Sequence, residues 1–94
     1  MRKSDKKSRI ELYRAIIGMR RLGECADFFE DILTESELDT VNQRFIVSKM
    51  LIMGMRYSEI RDATGASTAT ISKVNKALLY GHEGYAKVFD RINK

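Results

Sequence analysis

Ninety-four residues, 44% of them hydrophobic and 32% charged, describe a folded domain and exclude a disordered chain. A chain of this length buries a limited core by itself, so further burial has to come from a partner. The net charge of +4 suits nucleic acid or another anionic surface without requiring one.

No apolar run is long enough for a transmembrane helix, and MRKSDKKSR is followed by charge-laced sequence in place of an apolar signal region. The expectation is a soluble, cytoplasmic protein with no membrane partner. Cys25 and His82 are the only residues of their kinds, which excludes an internal disulfide and provides no metal-ligand set. With scattered surface acids they form no nucleophile and base and no paired carboxylates, so neither an enzyme nor a cofactor or metal is expected.

In chain order, residues 1–7 read as a flexible basic tail, and residues 8–94 as a single helical domain. Five of the six glycines, Gly23, Gly54, Gly65, Gly81 and Gly84, stand where apolar periodicity stops. Ser8 and Glu11 are read as a capping box opening a first helix with Ile10, Tyr13, Ile16 and Ile17 on its apolar side, and Met19 as a further candidate at its end. Gly18 is placed inside that helix, at a cost of about 1 kcal/mol relative to alanine. A short second helix is predicted from Cys25 to Leu33, burying Phe28, Phe29, Ile32 and Leu33.

The stretch TESE, from Thr34 to Glu37, is a second capping box. It opens a long helix with Leu38, Val41, Phe45, Ser48 and Ile52 on one face. From Phe45 to Met55 the text FIVSKMLIMGM is apolar almost all round, and such a helix must be surrounded. An obligate homodimer with a shared core supplies the surroundings; the alternative is a single-chain bundle with this helix at its centre. A short helix from Tyr57 to Ala63, the turn Thr64-Gly65-Ala66, a helix from Thr68 to about Leu79 and a last helix near Tyr85 to Ile92 complete an all-α chain.

The stretch TGASTATISKVNKAL carries the functional signal. Ile71, Val74 and Leu78 fall on one face at helical spacing, and Ala69, Ser72, Lys73 and Lys76 fall opposite. Two short helices joined by a glycine turn, with Ile60 facing Ile71 and Val74, form the pattern of a helix-turn-helix. Ser67 is a plausible cap that leaves the first turn to meet phosphates. Thr68, Thr70 and Ser72 are short donors for phosphates or base edges, and Lys73 and Lys76 add charge. The plain alternative is a helical hairpin with a solvated face. Arg61, four residues before the glycine, stands where many such motifs have a small residue, although its stem could still pack.

The stretch from ILTESELDTVNQRF through GASTATISK resembles the tryptophan-repressor superfamily, and residues 9 to 92 as a whole are similar to its YerC/YecD branch. The resemblance implies six helices per chain, two chains intertwined into a homodimer with two helix-turn-helix heads, and repression of transcription at a palindromic operator in double-stranded DNA. It also implies an effector site at Thr34, Arg44, Thr70 and Lys73. Arg44 could hold a carboxylate in its planar fork or simply serve as a surface residue of the long helix. The tryptophan repressor has arginine and glycine where this chain has Lys73 and Val74, and the valine takes space that an indole ring needs. The expected effector is therefore an amino acid other than tryptophan, with histidine one candidate, or none. The competing reading is an effector-independent helical module for nucleic acid or protein; the recognition face lacks the aromatics on which RNA readers stack bases, which favours duplex DNA.

Overall fold

The computed structural model describes residues 4–93, and among them the regular structure is entirely helical. The elements are α1 (Lys6–Ile17), α2 (Leu22–Ile32), α3 (Glu35–Ile52), α4 (Tyr57–Thr64), α5 (Thr68–Tyr80) and α6 (Gly84–Ile92). Among the described residues no helix is long and apolar enough to cross a membrane. Two compact units make up the chain, Met1–Leu38 and Asp39–Lys94.

In the first unit, α1 begins three residues earlier than the pattern predicts. Its cap is Asp5, whose Oδ1 accepts from the Ser8 N–H at 2.8 Å, so Ser8 is a first-turn residue and not the cap. Lys6 and Lys7, assigned to the tail from sequence, are helical; residues 1–3 of that tail lie outside the described residues. Gly18 closes α1, its N–H donating to the Arg14 carbonyl at 3.0 Å, while Gly23 sits inside α2. The two glycines thus exchange the roles expected of them. Neither α1 nor α2 contains a buried residue.

The second capping box forms as read. The Thr34 N–H donates to Glu37 Oε1 at 2.8 Å, and the Glu37 N–H donates to Thr34 Oγ1 at 3.1 Å. The backbone bond from Thr34, and then its hydroxyl, hold the Glu37 carboxyl below its ordinary value of 4.5. Because the folded group is the stronger acid, its contribution is complete above that ordinary value and fades as pH falls through the lowered one. Thermal melts of Glu37→Gln should therefore trail the wild type near pH 7 and converge with it as pH falls below 4.5. A gap that stays constant across that range would show that the carboxylate charge is not what the cap supplies.

The second unit is built on a core of Val47, Ile60, Ala66, Ile71 and Val74, with Met50, Leu51, Met55, Tyr57 and Tyr85 packed around it. Phe45 and Phe89 stack with ring centroids 4.9 Å apart. Within α3 only Val47 and Ser48 are buried, and the Ser48 hydroxyl donates to the Phe45 carbonyl at 2.6 Å, which satisfies it. Val41, Phe45 and Ile52, from the face expected inside, remain exposed. Gly54 ends this stretch with φ +82°, a left-handed conformation that costs a side chain of the L series about 1–2 kcal/mol.

Candidate nucleic-acid interface

The turn between α4 and α5 is specified residue by residue. Gly65 adopts φ 73° and ψ 4°, and its N–H donates to the Arg61 carbonyl at 2.9 Å. Thr64 Oγ1 donates to the Ile60 carbonyl at 2.7 Å and accepts from the Ala66 N–H at 3.1 Å. The Thr64 hydroxyl is thus used both as donor and as acceptor in the turn, and Ala66 enters the core. Ser67 then caps α5: its hydroxyl accepts from the Thr70 N–H at 3.1 Å and donates to Thr70 Oγ1 at 3.0 Å.

Burial of Ile60, Ile71 and Val74 decides which side of α5 is presented. Ser67, Thr68, Ala69, Lys73 and Lys76 are exposed, while Thr70 and Ser72 are half-buried at the edge of the core. The first-turn N–H groups of Thr68 and Ala69 have no acceptor within the helix, and the helix dipole favours an anion there. The charge is concentrated in the same unit. Residues 39–94 carry nine Lys and Arg against five Asp and Glu, which accounts for the whole +4 of the chain. An outer face of this kind can meet phosphates at its start and along its lysines, and base edges through its short side chains.

Arg61 is the residue that the sequence reading undervalued. Its Nη1 donates to Thr68 Oγ1 at 3.4 Å, which places the guanidinium beside the first turn of α5. The departure from a small residue therefore adds a fixed positive charge to the interface. Sequence offered one signal for this, an arginine directly after the buried Ile60 and so turned to the outer side of α4.

The residues implied for an effector are distributed differently. Thr34 belongs to the first unit, with its N–H and hydroxyl both engaged in the capping box, and it lines a cleft of about 380 Å³ with Glu30, Leu33, Glu35 and Leu38. Arg44 is exposed on α3 in the second unit. Thr70 and Lys73 lie about one turn apart on α5, Thr70 with its hydroxyl held by Ser67. Val74 is 3% exposed and occupies the core between Ile60 and Ile71.

A glycine-turned helix pair over one apolar core, with a hydroxylated and positive outer face, defines a helix-turn-helix regulator of the DNA-binding class. The particular family follows from comparison: residues 8–93 match the Trp repressor protein family, and the chain belongs to it, within the YerC branch. The uncharacterized protein YerC of Bacillus subtilis (strain 168) is 40% identical over 84 residues, covering 89% of this chain and 81% of YerC. The crystal structure of a TrpR-like protein from Eubacterium eligens ATCC 27750 is similar with a TM-score of 0.88 and 45% identity, covering 94% of this chain and 91% of that one. A solved structure from Staphylococcus aureus is similar with a TM-score of 0.89 and 38% identity, covering 95% and 89%.

Proposed function

We propose that the protein is a dimeric, sequence-specific transcriptional repressor of the cytoplasm that reads a near-palindromic operator with two copies of α5. The observation that carries the reading is the outer face of α5, where Ala69, Lys73 and Lys76 project from a helix whose inner face is fixed by Ile71 and Val74. Ser67, Thr68 and Thr70 sit in its first turn for phosphates, and Ser72 at the margin for a base edge.

Dimerisation is supported by what one chain leaves uncovered. Ile17 is 82% and Leu22 88% exposed, and α1 and α2 bury nothing. Covering about five large side chains of this kind yields on the order of 10 kcal/mol, comparable to the whole stability of a small domain. An apolar cavity of about 510 Å³, walled by Phe45, Ala77, Tyr85 and Val88, offers a partner side chain a further seat.

Gating by an amino acid other than tryptophan completes the proposal, with Thr34, Arg44, Thr70 and Lys73 as its contacts. The branched Val74 in the core supports exclusion of an indole. Selection of bound duplex from a random pool, with and without mixed amino acids, tests both parts. Recovery of the same palindrome with equal affinity in both arms would remove the effector and leave a constitutive regulator.

Roles within α5 should separate under mutation. Lys76→Ala is expected to weaken binding to every duplex alike and to lower the salt slope by about one counterion. Substituting Ala69 or Ser72 should instead change base preference at one or two positions, by roughly 1–3 kcal/mol. Binding to selected and scrambled duplex at several salt concentrations distinguishes them. Wild-type sequence preference in the Ala69 and Ser72 variants, with an unchanged slope for Lys76→Ala, would replace DNA reading with the interaction-module alternative.

A further inference from the structure

A cleft of about 310 Å³ opens in the second unit between α3 and the last residues of α4. Asp39, Asn42, Gln43 and Ile46 line it from α3, and Ala63 and Thr64 from α4. None of the four residues implied for an effector is among them. Asp39 and Asn42 are exposed, while Gln43 and Ile46 are half-buried. One contact orients the Gln43 amide: its Nε2 donates to the Thr64 carbonyl at 3.4 Å, which turns Oε1 away from that carbonyl as an acceptor.

The lining selects for positive charge. Ala63 and Thr64 end α4, where the terminal carbonyls lack intrahelical partners and form the negative pole of the helix dipole. The Asp39 carboxylate faces the same space from α3 and adds a full negative charge. A metal ion would need a denser anionic set, and no group of three or more His, Cys, Asp and Glu that could hold one occurs among the described residues. A single carboxylate beside amide and backbone carbonyls suits a cation with N–H donors, and Ile46 and Ala63 offer apolar surface to a methylene stem. We propose that this cleft binds a small aliphatic cation through an ammonium or guanidinium head, held by the Asp39 carboxylate, Gln43 Oε1 and the end of α4. The chain as a whole carries +4 and repels such a ligand, so saturable binding requires a local site of this kind.

Agmatine, a guanidinium and an ammonium joined by a short aliphatic stem, is the probe. Its titration into the isotope-labelled full-length chain at fixed ionic strength should move the amide resonances of Gln43, Ala63, Thr64 and Gly65, with half-saturation at about 1 mM or below. Asp39→Asn, which keeps the size and removes the charge, should raise that concentration about tenfold. Ala63→Leu fills the apolar wall and should abolish saturation. Asp62→Asn removes a neighbouring acid outside the lining and should leave binding nearly unchanged. All three positions are exposed, so the variants keep the core intact.

Shifts that grow linearly without saturating, or equal losses in the Asp39 and Asp62 variants, would reduce the interaction to general charge screening and overturn the site. So would saturable binding that survives Ala63→Leu, or shifts confined to residues away from the cleft. The titration contains no DNA, so its failure leaves the operator reading untouched, and failure of that reading leaves the cleft as it stands.

Discussion

Ile71→Ala is expected to cost about 2–5 kcal/mol of stability and to lower the melting temperature by on the order of 10 °C or more. The side chain is fully buried on α5 in the cluster with Val47, Ile60, Ala66 and Val74. Its removal leaves a cavity that the turn cannot readily close, because Gly65, Thr64 and Ser67 are each held by specific hydrogen bonds. Ile71→Val, which deletes one methylene, should cost only about 0.5–1.5 kcal/mol. Calorimetry of both variants measures this, and DNA binding well below their transitions isolates folding from recognition. Since Ile71 points away from the outer face, the folded fraction of Ile71→Ala should keep the wild-type base preference. A shifted preference with undiminished stability would place the side chain at the DNA instead.

Five base pairs inserted between the half-sites of the selected operator are expected to reduce affinity by on the order of a thousandfold, to the level of nonspecific binding. Two heads related by a dimer axis require half-sites about one helical turn, roughly 34 Å, apart. Half a turn carries one of them to the far side of the duplex. One copy of α5 then has to give up its base contacts, while phosphate contacts by residues such as Lys76 persist in any sequence. Gel-shift titrations of the native and lengthened operators at a single salt concentration give the ratio. Equal affinities would mean that the heads act independently, and paired recognition would have to be abandoned.

The features that sequence determined are those encoded within a few residues. Thr34 and Glu37 form the reciprocal cap that their spacing announces, and Gly65 takes the left-handed conformation that a turn between two helices requires. Ser67 caps α5, and the recurrence of Ile71 and Val74 placed the inner side of that helix, which in turn placed Lys73 and Lys76 outside. At the N-terminus the same local logic put the cap at Ser8, two residues before the first apolar residue, because the polar turn before it has no periodicity to mark it as helix. Asp5 captures the Ser8 N–H and extends α1 through Lys6 and Lys7.

Tertiary structure decided which apolar residues are used, because burial depends on neighbours distant in sequence that periodicity does not specify. Phe28, Phe29 and Ile32 look as apolar as Ile60 and Ile71, yet α2 buries none of its residues and the core of the second unit closes around the helix-turn-helix. The crowded text from Phe45 to Met55 likewise contributes only Val47 and Ser48 to the buried set. Arg61 is the same lesson for a charge: its meaning lies in the 3.4 Å approach to Thr68, and that exists only once α4 and α5 are folded against each other.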